Sequence, residues 1–125
     1  MIKDLDILRP KPNVSILSGE EVDLSFVPNG ITFEVDSLLR QINDVAGNVE
    51  ELINDEDKQK KAFDLSIDLC VLFCSRKHPR LDKKFFLDEC IPIQVRAIVD
   101  DIRIALNESY KAVEKYGKNL EAGKT

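Results

Sequence analysis

Apolar residues recur at helical spacing along two long stretches of the chain. Spacing of the i, i+3, i+4, i+7 type is typical of amphipathic helices. The first predicted helix has apolar positions at Val35, Leu38, Leu39, Ile42, Val45, Ala46, Val49, Leu52 and Ile53. Gly47 lies inside this pattern and predicts a bend or a break. The second predicted helix begins at Pro92, is capped by Gly117, and has its apolar stripe at Val95, Ile98, Val99, Ile102, Leu106, Tyr110 and Val113.

A further helix is predicted between these two, from about residue 57 to 76. Its segment from Ala62 to Cys74, AFDLSIDLCVLFC, is apolar around most of the circumference, which indicates a buried core helix. Pro79 ends the pattern because proline lacks the backbone donor that a helix needs. Asp82 then predicts the N-cap of a short helix that extends to about Cys90.

The segment before the helices alternates between apolar and polar residues. Val14 and Ile16 share one side of a strand, Ser18-Gly19 supplies a turn, and Val22, Leu24 and Phe26 alternate with polar residues after it. This pattern predicts a β-hairpin whose apolar face packs on the helices. The fold class is therefore mostly α, with an N-terminal β-hairpin packed on a bundle of about four helices. We expect a flexible lead-in over residues 1–12, a single domain over 13–117 and a frayed tail over 118–125.

Composition narrows the range of functions. The 125 residues are 43% hydrophobic and 33% charged, with a net charge of −5. This describes a globular domain and disfavours a nucleic-acid binder, which usually has a basic face. Residues 1–57 hold 13 acidic and 4 basic residues (net −9), whereas residues 58–84 hold 8 basic and 3 acidic (net +5). Intramolecular balance explains this asymmetry, with head-to-tail association as the alternative.

The lengths of the apolar segments predict the cellular location of the protein. The first residues lack the apolar core of a signal peptide, and the longest apolar stretch is about half of what a membrane span needs. We therefore expect a cytoplasmic protein with no membrane partner and with reduced thiols at its three cysteines.

The cysteines and the single histidine are the strongest candidates for site chemistry. Cys70, Cys74 and His78 are spaced four apart, and Cys90 follows, so a zinc site is one interpretation. The spacing differs from that of common zinc knuckles, and buried cysteines behave as small hydrophobes, so core thiols are the preferred interpretation. A nucleophilic Cys74 with His78 as base is disfavoured at a helix C-terminus. We predict no catalytic residue, no metal, no cofactor and no enzyme activity.

One basic cluster and one apolar strip point outward. The cluster comprises residues 76–80 with Lys83 and Lys84, and it is either a solvated loop or a contact for phosphates or an acidic partner. The strip is a candidate partner-binding surface on the last helix and the segment before it, and burial inside the monomer is its alternative. Its members are Phe85, Phe86, Ile93, Ala97 and Ile104.

The layout over residues 13–113 resembles the tail assembly chaperones of long-tailed bacteriophages. The resemblance is carried by a hairpin, VSILSGEEVDLSFVP, then a long helix, the segment SIDLCVLFCSRKHPRLDKKFFLDEC, and a final helix, IVDDIRIALNESY. It implies a non-catalytic protein that coats the hydrophobic tape measure protein before the tail tube polymerises and is absent from the finished tail. It also implies self-association, and a longer form made by translational frameshifting.

We therefore expect a tail assembly chaperone, located in the host cytoplasm if phage-encoded, that binds the tape measure protein or another hydrophobic helical client and forms homo-oligomers. The alternative is a structural or regulatory oligomeric protein of phage morphogenesis. A nucleic-acid-binding module is a weaker third option.

Overall fold

A computed structural model describes residues 2–122 of the chain. It is mostly helical with an N-terminal hairpin, which confirms the predicted fold class. The strands are β1 (Val14–Leu17) and β2 (Glu20–Asp23). The helices are α1 (Thr32–Ala46), α2 (Val49–Asn54), α3 (Glu56–Cys74), α4 (Lys83–Asp88) and α5 (Pro92–Ala122), and short 3-10 turns lie at Leu5–Leu8 and Asn29–Ile31.

Capping side chains explain where the middle helices begin. The Asn48 side chain accepts hydrogen bonds from the backbone of Glu50 and Glu51 and starts α2. The break predicted at Gly47 is therefore confirmed. Asp82 caps α4 by accepting from the backbone N–H of Phe85 at 2.9 Å, also as predicted.

The final helix begins where the sequence predicts but does not end there. Pro92 is its first residue, as expected from the fixed φ of proline. Gly117 does not cap it, because the helix continues through that position to Ala122. The predicted helix end is wrong, and of the predicted tail, residues 118–122 are helical while residues 123–125 lie outside the described part of the chain.

The core lies where the C-terminal half of α3 packs between α1 and α5. Five α3 residues are buried, all in that half: Ile67, Leu69, Cys70, Phe73 and Cys74. They meet the buried stripe of α1 and the inward side of α5. The first half of α3 is mostly exposed, so only part of this helix is the buried core helix that its composition predicts.

The hairpin packs one face on this core, but its first strand faces the other way from the prediction. Ser18 and Gly19 both have positive φ, which is typical of a tight two-residue hairpin turn. This turn pairs Leu17 with Glu20 and Ile16 with Glu21. Leu17 is therefore buried together with Val22 and Leu24. Val14 and Ile16, which we expected on the packed face, are exposed to solvent.

Candidate functional site

The three predicted strip residues on α5 lie on its solvent side. Ile93, Ala97 and Ile104 are all exposed, and the two isoleucines retain 66% and 58% of their accessible surface. At about 100° per residue they fall within roughly 40° of each other around the helix. They also lie opposite the buried Ile102, so they form a narrow apolar ridge. We call Ile93, Ala97 and Ile104 the outer strip.

Phe85 and Phe86 do not belong to this surface. Both rings are buried, Phe86 with only 1% of its surface exposed, and they pack edge to face with centroids 5.3 Å apart. Adjacent helical residues diverge by about 100°, yet both rings enter the core. The six-residue α4 packs on α3, and its Leu87 and polar residues face solvent. The predicted partner surface is corrected to the three α5 residues.

A shallow groove separates the outer strip from the hairpin. Its walls include Ser15 and Ile16 of β1 and Gln94, Ala97 and Asp101 of α5, and its volume is about 140 Å³. Ile16 is 76% exposed beside this groove. The unexpected phase of β1 therefore extends the apolar surface of the outer strip onto the hairpin.

A larger groove borders the other side of the outer strip. It lies between α5, the end of α1, α2 and the first half of α3, and its volume is about 540 Å³. Phe63 stands in its α3 wall with 42% of its surface exposed, and Val49 of α2 is more exposed still. We call it the α2–α5 groove. The sequence analysis placed both residues on apolar helix faces and did not identify them as exposed surface, although Phe63 lies in the polar first half of α3.

The groove has a charged rim on α5. The carboxylate of Asp100 lies 3.5 Å from the guanidinium of Arg96 and 3.2 Å from that of Arg103. Arg103 also donates to the Asn43 side chain at 3.4 Å. The rim is therefore a short charge network fixed between α1 and α5.

The cysteines occupy the core rather than a chemical site. Cys70 and Cys74 are buried, which confirms the core-thiol interpretation for these two residues. Burial raises the pKa of both thiols, that of Cys74 to about 12. Cys90 is half-buried, and its pKa is raised by burial and by the neighbouring Glu89. Among the side chains described, those of residues 2–119, no three His, Cys, Asp or Glu residues come together as metal ligands.

The basic cluster fastens the hairpin to the helical body. Arg80 donates to the Ser18 carbonyl oxygen at 2.6 Å and lies 3.7 Å from a Glu20 carboxylate oxygen. His78 Nδ1 is 3.8 Å from the other Glu20 oxygen, and the Lys77 ammonium lies over the Phe26 ring. These contacts support intramolecular balance as the explanation of the charge asymmetry.

Compared with known protein families, curated proteins and solved structures, the chain shows no significant similarity to any of them. None of the helices described between residues 2 and 122 is long and apolar enough to cross a membrane. The geometry of the surface therefore has to support any function on its own.

Proposed function

We propose that this protein binds an apolar helical segment of a partner polypeptide along the outer strip of α5. In keeping with the resemblance of its layout, we assign it the role of a tail assembly chaperone whose client is the tape measure protein. The observation that carries the proposal is the exposure of Ile93, Ala97 and Ile104 in one line on the outside of a packed helix.

The strip has the length and chemistry for a helical client. Ile104 lies eleven positions after Ile93 along the helix, which corresponds to about 16 Å or three turns. Apolar residues at this spacing match the i, i+3/i+4, i+7 anchors with which amphipathic helices bind to grooves and ridges. Covering exposed aliphatic surface is favourable by about 25 cal/mol for each Å² removed from water.

Two further features support a chaperone for an insoluble client. Ile16 and Phe63 add exposed apolar surface on either side of the strip, so a long client would meet a broad face. The net charge of −5 would keep a complex with a hydrophobic polypeptide in solution.

The proposal is tested by co-expressing the chain with a tape measure protein as the candidate client. A soluble complex with several copies of the chain per client, measured by affinity pull-down and light scattering, is the expected result. Ile104→Asp should reduce recovery of the complex at least tenfold, because it places a charge on the apolar contact.

Val113→Asp is the matched control. Val113 is an exposed aliphatic residue on the same helix, 180° away from Ile104 at 100° per residue. It should leave complex recovery unchanged, and both variants should retain their helical circular dichroism. A client that stays insoluble with the parent chain, or equal losses for both variants, would contradict the proposal.

A structural oligomer is the second candidate, and α2 is the observation that favours it. Val49 and Ile53 lie four residues apart on α2 and both are strongly exposed, with Glu50 and Glu51 beside them. A second copy of the chain would cover such a patch in a homo-oligomer. Detection of this chain in purified, finished particles would favour the structural role over the chaperone role.

A further inference from the structure

We propose that the α2–α5 groove receives one helix of the client and selects for a helix that has an acidic residue beside its apolar stripe. This inference rests on the proposed function and adds the chemistry of the bound segment. It identifies Phe63 as an apolar anchor of the groove and Arg96 as the residue that recognises charge.

The walls of the groove determine the conformation of what binds there. All of them come from helices, namely α1, α2, α3 and α5. Away from the helix ends, their backbone N–H and C=O groups are used within each helix, so an extended strand would find no continuous ladder partner in the groove. A helical segment satisfies its own backbone and needs only side-chain contacts. The outer edge of the β-hairpin differs in this respect, because an edge strand presents free backbone groups.

The base of the groove is apolar and already formed. Ile42, Val95 and Val99 belong to the buried core and line its floor. Phe63 and Val49 rise from the floor and remain exposed to solvent. The volume of about 540 Å³ lies within the range of pockets that enclose most of a bound group. Aliphatic side chains of an incoming helix would cover both residues.

The rim supplies the preference for an acid. Among the described residues, the charged side chains lining the groove are Arg96, Asp100 and Arg103, which leaves one positive charge in excess. This excess is opposite in sign to the net charge of the whole protein. Arg103 is held by Asp100 and Asn43. The Arg96 side chain is 77% exposed, and Asp100 is its one ion-pair partner among the residues that the structure describes. Arg96 is therefore able to turn its planar guanidinium toward a carboxylate on a bound helix.

The test uses two synthetic helical peptides of about 18 residues with leucine at i, i+3/i+4, i+7 spacing. One has glutamate and the other lysine at the edge of the apolar stripe. Binding to the full chain is measured by fluorescence anisotropy. The glutamate peptide should bind about threefold to tenfold more tightly, the range expected for a partly exposed ion pair exchanged for a like-charge contact. Arg96→Glu should reverse the order of the two peptides.

Arg40→Glu is the matched control. Arg40 is 76% exposed, pairs with an aspartate four residues away on its own helix, as Arg96 does, and lies outside the groove. It changes the net charge by the same amount and should leave the peptide order unchanged. Equal reversal by Arg40→Glu would assign the preference to net charge and overturn the inference.

The remaining outcomes separate this inference from the proposed function. If both peptides bind equally, Arg96→Glu changes neither, and Ile104→Asp weakens both, the charge selection is wrong and the apolar client surface stands. If neither peptide binds, the inference is also wrong, and the co-expression experiment decides the chaperone role by itself. Loss of glutamate-peptide binding in Phe63→Ser, with an unchanged melting temperature, would place the peptide in the groove.

Discussion

The two faces of α5 have nearly the same composition and opposite environments. The inward face carries Val95, Ile98, Val99, Ile102 and Leu106, all buried against α1, α3 and the hairpin. The outer strip carries Ile93, Ala97 and Ile104 in solvent. Residue type therefore does not decide burial here; the packing of the neighbouring elements does. The inward face should account for stability, and the outer strip should account for binding.

The apolar stripe on the inward face of α5 is buried up to Leu106 and exposed beyond it. Tyr110 and Val113 continue its spacing but are exposed, because the helical body that covers Leu106 does not extend that far. Leu8 and Pro10 of the N-terminal segment approach this end of the helix around an open cleft of about 420 Å³. A periodic apolar pattern thus predicts which residues share a face but not how far along the helix a neighbour covers them.

The largest expected effect comes from truncating the same residue type on the two faces. Ile102→Ala should lower the free energy of unfolding by about 2–5 kcal/mol, because it leaves a cavity at a position with no exposed surface. Ile104→Ala should change it by less than about 0.5 kcal/mol, since its side chain already lies in water. Urea denaturation followed by circular dichroism at 222 nm measures both. Similar losses for the two variants would show that the outer strip is buried in solution, for example in an oligomer.

The second effect is a pH dependence of stability, which tests whether the cysteines of α3 are buried against the inward face of α5. The Cys70 sulfur lies 3.9 Å from the Val95 carbonyl oxygen on that face, and Cys74 follows one turn later. Both folded pKa values lie above that of an unfolded cysteine, about 8.5. The stabilising contribution is therefore complete below pH 8.5 and is lost as the pH rises toward the folded value, about 12 for Cys74.

The expected loss is roughly 1 kcal/mol per pH unit for each buried thiol. Urea denaturation at pH 7, 8, 9 and 10 measures the slope, and Cys74→Ala should make it shallower. Cys90→Ala is the control, because its thiol is only half-buried and should contribute less. A slope that is identical in the parent chain and in Cys74→Ala would contradict the assigned burial.

The elements of the fold were predictable where a local signal fixes them. Asn48 and Asp82 cap helices by bonds to residues two or three positions away, so the short-range sequence contains the information. The apolar spacing of α1 and α5 predicted which residues form their inward faces. For the candidate site, the same periodicity identified the outer strip on α5.

The remaining features depend on how one element pairs or packs with another. Val14 and Ile16 face solvent because the Ser18-Gly19 turn sets the pairing of β1 with β2, and the strand's own alternation cannot reveal that phase. Phe85 and Phe86 are both buried through packing between elements, with α4 lying on α3. The α2–α5 groove combines residues from four helices, so no single segment of the sequence indicates it.

The smallest expected effect comes from replacing Gly117, near the C-terminal end of α5. The structure places this glycine inside the helix, with no atom within 4 Å of where a Cβ would lie. Gly117→Ala should therefore increase helix content or stability. Where this segment unfolds together with the domain, the free energy of unfolding should rise by about 0.5–1 kcal/mol, the difference in helix propensity between glycine and alanine. A C-terminal cap at this position, as the sequence predicts, would require a left-handed backbone that alanine disfavours, and the same substitution would then be destabilising. The sign of the change thus distinguishes a helix that continues through Gly117 from one that ends there.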